Sequence, residues 1–246
     1  MKDSVKTLVF RLLHGFRGYP RKIRGRMFRV DESLRRFHTD GEEAIQETLE
    51  KMVPVGGFFV DIGANFGLHT LLACDLLGPG GRVLAVEPVP ANLSLLRRNL
   101  ALNGYDDRCT VAGLALTNGS VASVEMTVEP GLSPAASLAE NFAGIKILVL
   151  AGTLDTLLAG VDAIPDLIKI DVEGAEHEVL KGAIETLRKG PALLIEVHRF
   201  ALGNFGSSSD ALVAFLANLG YQEHRLSEME SHLGEYHHSL FLKDHV

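Results

Sequence analysis

Residues 58–67 read Phe58-Phe59-Val60-Asp61-Ile62-Gly63-Ala64-Asn65-Phe66-Gly67, a short buried-strand pattern running into a turn with two glycines. The helical pattern Leu68, Leu71, Leu72, Leu76 follows and stops at Gly78-Pro79-Gly80-Gly81. A strand that passes through a glycine turn into a helix is the opening βα unit of an open, mostly parallel sheet covered on both faces. Such sheets bind ligands at the carboxyl ends of their strands, where glycine lets the backbone approach the ligand closely.

Outward from this unit the alternation continues. Arg82 to Glu87 reads as a second strand, and a helix from about Ala91 carries Leu93, Leu96 and Leu100 before Asn103-Gly104. Cys109 to Leu114 is a third strand, after which Val121 to Val128 and Ile145 to Leu150 read as a hairpin inserted at about 120–150. Leu167 to Asp171 and Ala192 to Val197 return to the buried-strand pattern, separated by a helix with Val179, Leu180, Ala183, Ile184 and Leu187 on one side. A helix capped by Ser209 or Asp210 and two antiparallel strands, near Tyr221 to Arg225 and Tyr236 to Leu242, finish the chain. The expected fold class is α/β: a Rossmann-like doubly wound sheet, mostly parallel with an antiparallel final strand, over residues 51–246. Residues 1–50 are expected to form a basic, helical N-terminal extension.

With 246 residues, 46% hydrophobic and 22% charged, the chain is long enough to bury a core, which excludes intrinsic disorder and a disulfide-stapled mini-protein. Cys74 and Cys109 are the only cysteines and form no metal-ligand spacing, so a reducing, cytoplasmic compartment is expected. No run of 18 apolar residues exists, and Lys6 and Arg11 interrupt Val5 to Leu13, against a membrane span or a signal peptide. Residues 1–30 carry a net charge of +8, which leaves −15 for the remainder. That basic arm fits contact with nucleic acid or a membrane surface, or packing on an acidic subunit or on its own domain. Val5, Leu8, Val9, Leu12, Leu13 and Phe16 form an amphipathic stripe that docks on the core or forms a homodimer.

Four constellations carry chemistry. The first is the turn from Asp61 to Gly67. Glu87, at the end of the second strand and 20 residues beyond Gly67, is placed to accept hydrogen bonds from both hydroxyls of a ribose, so the pair points to a nucleoside-containing cofactor. The bland alternative is a tight turn with a solvated glutamate. Asn65 stands where a dinucleotide fingerprint needs its second glycine, and no Gly-Lys-Ser/Thr follows, so pyrophosphate and triphosphate cradles are unsupported. Lys169-Ile170-Asp171-Val172-Glu173-Gly174-Ala175-Glu176 places four ionisable groups at the end of a buried strand, which is costly unless the site uses them. Glu196-Val197-His198 ends the next strand with Glu196 and His198 on one face.

Together with Glu87-Pro88, Asn92, Arg98 to Gly104 and Leu180-Lys181-Gly182, these motifs resemble the FkbM family of S-adenosylmethionine-dependent methyltransferases over roughly residues 55 to 200. The D-x-G-x-x-x-G turn is shared by most class I methyltransferases, whereas the K-I-D-x-E-G-A-E run is far more specific. The resemblance implies methyl transfer from S-adenosylmethionine, leaving S-adenosylhomocysteine, to a hydroxyl on a small molecule or sugar. Carried over residue by residue, it places the cofactor on Asp61, Gly63, Ala64, Asn65, Gly67, Glu87, Pro88 and Asp171, with Asp61 and the loop at its amino-acid end.

An aliphatic hydroxyl is a poor nucleophile until it loses its proton, so a base or a metal should stand beside it. His198 is the expected base, with Glu196 or Glu173 orienting it and Asp171 near the sulfonium or ammonium of the cofactor. Alternatively, Asp171, Glu196 and His198 hold magnesium or manganese. Lys169 reads as paired with a neighbouring acid, Glu176 and Glu178 as first-turn helix acids, and His69, His237 and His238 as structural. An N-methyltransferase acting on an amine and a non-catalytic cofactor-binding scaffold are the competing readings. RNA is supported only by the basic arm and opposed by the acidic remainder.

Overall fold

The computed structural model describes residues 17–37, 42–128, 136–137, 144–231 and 234–243. An antiparallel hairpin comes first, β1 (Tyr19–Ile23) and β2 (Arg26–Val30), then a 3-10 turn and α1 (Glu43–Met52). The main domain runs β3 (Phe58–Ile62), α2 (Leu68–Leu77), β4 (Arg82–Val86), α3 (Pro90–Asn103) and β5 (Cys109–Ala112). An insertion follows with β6 (Ala115–Leu116), β7 (Ser123–Val128), β8 (Ala136–Ser137) and β9 (Ile145–Gly152). The chain then builds α4 (Leu154–Leu157), β10 (Leu167–Ile170), α5 (Glu176–Lys181), α6 (Ile184–Arg188), β11 (Ala192–His198) and α7 (Arg199–Leu202). It closes with α8 (Ser209–Asn218), β12 (Tyr221–Ser231) and β13 (Gly234–Lys243). Among the described residues no helix is long and apolar enough to cross a membrane.

The seven-stranded sheet has the order β12-β13-β11-β10-β3-β4-β5, with β13 antiparallel to both of its neighbours and the central strands parallel. Alternation along each strand divides the core. Phe59, Val83, Ala85, Leu167 and Leu194 face one side, where α1, α2, α3 and the hairpin cover them, while Val60, Ile62, Ile168, Ile170 and Ile195 face the helices from α4 to α8. From β3 the chain moves outward through β4 and β5, then returns to lay β10 on the other flank of β3. The order therefore reverses between β3 and β10, which opens a crevice at their carboxyl ends. Within the insertion β7 and β9 pair antiparallel, and β6 is added parallel alongside β9.

The N-terminal extension departs from the helical expectation. The stripe from Val5 to Phe16 lies outside the described residues, but Tyr19 to Val30 is a hairpin, not a helix. Its turn is Arg24-Gly25, both residues at positive φ (46° and 81°), and Ile23, Phe28 and Val30 bury the inner face with period two. The arginines of this segment spend their charge within the molecule: Arg24 on Glu47 and Glu50, Arg26 on Glu50 and Asp75. Packing on its own domain thus explains this part of the basic arm.

Two asparagines of α3 bolt the hairpin down. Asn103 both accepts from the Arg29 N–H (2.9 Å) and donates to its carbonyl (2.7 Å). Asn99, fully buried, donates to the Phe66 carbonyl and accepts from the Asp31 N–H, both at 2.7 Å. Asn99→Ala strands two backbone groups away from water, and a loss of about 3 kcal/mol in urea unfolding is expected.

Candidate functional site

A cavity of about 380 Å³ opens where the crevice was expected, lined by the ends of β3, β4, β10 and β11. Its floor is the turn Gly63 to Phe66. Gly63 and Ala64 donate to the Val86 carbonyl at 3.0 Å, which pins the turn to β4. Gly63 adopts φ 76°, and a Cβ there would stand 1.8 Å from the Asp171 carbonyl oxygen, so the turn presses directly on β10 with no room for a side chain. Leu114, Ala115, Leu116 and Met126 make one wall apolar, so the insertion closes the cavity on that side.

Glu87 enters from the end of β4. One carboxylate oxygen accepts the Asn65 N–H (2.9 Å), and the other accepts the Val89 N–H (2.8 Å) with the Asn92 amide at 3.5 Å. A carboxylate offers about four lone-pair positions. After the backbone is served, acceptor capacity remains toward the cavity. Burial pushes the Glu87 pKa up to about 7 despite these donors.

The opposite wall is acidic, formed by Glu42, Asp171, Glu173 and Glu196 around Lys169. Lys169 pairs with Asp171 (3.1 Å) and Asp61 (3.7 Å); burial works against its charge, but Asp171 and Asp61 raise its pKa overall. Burial likewise lifts Asp171, helped by Glu196, and lifts Glu173 to about 7. Glu196 goes the other way. Although burial opposes its charge, hydrogen bonds with His198 (3.3 Å) and His238 (3.2 Å) hold it well below the usual carboxylate range.

Of the residues singled out in the sequence, Gly63, Ala64, Asn65, Glu87, Pro88, Asp171, Glu173 and Glu196 line the cavity. Three do not. Asp61 is wholly buried beneath the floor, accepting the Thr70 hydroxyl at 2.6 Å and facing Lys169 at 3.7 Å. Gly67 starts α2 at φ 84° over Leu96. His198, the expected base, is 3% exposed behind the acidic wall. Its Nδ1 meets Glu176 at 2.7 Å, and its Nε2 faces Glu196 at 3.3 Å and Glu173 at 3.4 Å. Burial lowers the affinity of this ring for a proton, yet the bonds to Glu176 and Glu196 raise its pKa well above the ordinary value. Its two ring nitrogens are thus turned to Glu176 and to the Glu196–Glu173 pair, and His198 is not among the residues that line the cavity.

Glu176 stands in the first turn of α5, where it is fully buried and also accepts the Gly174 N–H at 2.9 Å. His69, read as structural, lines the cavity with Nε2 3.0 Å from Glu42. Its place two residues past Gly67, in the first turn of α2, was the available signal; Glu42 carried none.

Residues 61–223 match the model of the methyltransferase FkbM domain. The chain belongs to the FkbM methyltransferase family. It is 32% identical over 165 residues to methyltransferase sdnD of Sordaria araneosa (54% of this chain, 62% of that protein). It is 29% identical over 173 residues to the hexuronic acid methyltransferase AglP of Haloferax volcanii (69% and 67%). The matched stretch thus spans about two thirds or less of these curated relatives. An O-methyltransferase from Bacillus cereus in complex with SAH shares the fold at 16% identity, with a TM-score of 0.51 over 86% of this chain and 84% of that one. Family and fold are those of S-adenosylmethionine-dependent methyltransferases.

The Glu87 shift has a stability consequence of definite sign. Its pKa is raised from 4.5 to about 7 in the folded chain, so the stability present below pH 4.5 is lost as pH rises through about 7. Glu87→Gln, neutral at every pH, is expected to gain on the parent chain between pH 5 and 8 in urea unfolding; parallel curves would show that Glu87 titrates normally.

Proposed function

We propose that the protein transfers the methyl group of S-adenosylmethionine to a hydroxyl oxygen of a small molecule or sugar. The observation that carries the cofactor is Glu87, whose carboxylate keeps acceptor capacity toward the cavity after binding the Asn65 and Val89 amides. Around it the cavity offers what each part of that molecule needs. Leu114, Leu116 and Met126 give apolar contact to a purine, Glu87 accepts from ribose hydroxyls, and the acidic wall suits the ammonium and sulfonium charges. The cofactor supplies a methyl group already activated for displacement, so the protein's work is to hold the acceptor in line and take its proton.

With His198 sealed away, His69 is the imidazole among the described residues that lines the cavity. Glu42 fixes that ring from its Nε2 side, in the manner of a carboxylate orienting a general base. His69 accepts the hydroxyl proton in this reading. An oxygen acceptor is further supported by the relatives, one named for a hexuronic acid and a neighbour named an O-methyltransferase. The acidic wall favours a cationic amine as the second reading, and amines belong in the same screen.

Titration calorimetry with S-adenosylhomocysteine is expected to show one site, weakened about 10-fold or more in Glu87→Ala through loss of the ribose hydrogen bonds. Unchanged affinity would remove Glu87 from the cofactor site. With an acceptor found among neutral sugars, uronic acids, polyols and amines, His69→Ala is expected to lower turnover by about 10²-fold while cofactor affinity is kept. Loss of cofactor affinity with turnover preserved at saturation would make His69 a cofactor ligand.

A further inference from the structure

The corner where β10 and β11 end holds more than the methyl-transfer reading uses. Asp171, Glu196 and His198 each present one ligand atom, and these atoms lie within 4.8 Å of one another. Asp171 and Glu196 line the cavity, whereas His198 stands behind them. Two carboxylate oxygens and one imidazole nitrogen would fill three coordination positions and leave the others for water or an acceptor oxygen.

Glu176 supplies the observation that makes this a built arrangement. It is fully buried, 2.7 Å from His198 Nδ1, and its other oxygen has no hydrogen-bond partner among the described residues. A carboxylate held on Nδ1 keeps the proton on that nitrogen and leaves Nε2 facing Glu196 (3.3 Å) and Glu173 (3.4 Å), the outer arrangement that supports metal-binding histidines. The local charge points the same way. Asp171, Glu173, Glu176 and Glu196 converge here, and among the described residues Lys169, beside Asp171, is the lysine or arginine paired with them.

We propose that Asp171, Glu196 and His198 bind a divalent cation, magnesium or manganese, and that Glu176 is the positioning residue that directs His198 to it. The ion takes the place of the Nε2 proton. Binding of the ion stands on these residues alone. Its use rests on the methyl-transfer reading: an acceptor hydroxyl on the ion would become more acidic, easing its deprotonation beside the cofactor.

The test uses the full chain, stripped with a chelator, and Mn²⁺ alone as the probe. Calorimetry and electron paramagnetic resonance are expected to show one bound Mn²⁺ per chain with hyperfine coupling to an imidazole nitrogen. His198→Ala is expected to lose the coupling and weaken binding by about 100-fold, and Glu176→Gln to weaken it about 10-fold with the coupling retained. Asp171→Asn gives a second loss of affinity should His198→Ala fail to fold, with urea unfolding as the control on each variant. No Mn²⁺ binding to the parent chain at millimolar concentration, or binding that both His198→Ala and Asp171→Asn keep, overturns the site. Parent-like affinity in Glu176→Gln overturns the role of Glu176. Because S-adenosylhomocysteine is titrated separately, cofactor binding without Mn²⁺ sinks only this inference, and Mn²⁺ binding without cofactor sinks only the methyl-transfer reading.

Discussion

Everything at the carboxyl ends of the sheet is arranged around one buried ammonium. Lys169 is 2% exposed, lies between Asp61 of β3 and Asp171 at the end of β10, and sits where the strand order reverses. A lysine in such a place is tolerable only if opposite charges replace the water it gave up. That condition explains why Asp61 lies below the floor and Asp171 at the wall: each neutralises the same cation from a different strand. It also explains the close packing of the Gly63 turn on the Asp171 carbonyl, because the two strands that hold the pair must approach without an intervening side chain.

From that centre the acidic wall spreads outward through shared partners. Glu196 faces His198 with one oxygen and His238 with the other, and His198 carries the contact on to Glu173 and Glu176. A network of this kind ties the antiparallel strand β13 and the helix α5 to the same chemistry, since His238 and Glu176 come from those elements. The cost is local strain and crowded charge. Glu173 holds φ 53°, a left-handed conformation that a glutamate adopts only when its surroundings demand it.

The parallel core was legible because its information is local. Buried strands read as apolar runs, helices as stripes, and the Asp61-to-Gly67 turn marks the only kind of junction at which backbone must approach a ligand. The β1–β2 hairpin escaped because its turn is Arg-Gly, outside the usual Asn-Gly and Asp-Gly signals, and its basic residues masked a period of two. Side-chain roles escaped for a different reason. Nothing in Glu176 or His198 taken alone says that they meet, since a helix start and a strand end 22 residues apart are brought together by packing. His198 looked reactive because an unperturbed imidazole titrates near neutrality, yet the structure surrounds it with acids that remove that property.

That reversal bears on how the site divides its labour. A histidine sealed behind carboxylates is a poor acceptor of substrate protons and a good fixed cation or ligand, whereas one at the cavity wall with a single carboxylate on one ring nitrogen keeps the other for substrate. His198 and His69 occupy those two positions. Exchanging the roles would require either a carboxylate beside the imidazole without its further partners, or a way for substrate to reach behind β11. The fold supplies neither, because Glu176 is locked to the Gly174 amide and Tyr236 stacks against the His198 ring. Charge placement at the strand ends, set by the demands of Lys169, therefore leaves His69 as the imidazole on the cavity wall and His198 as the one behind it.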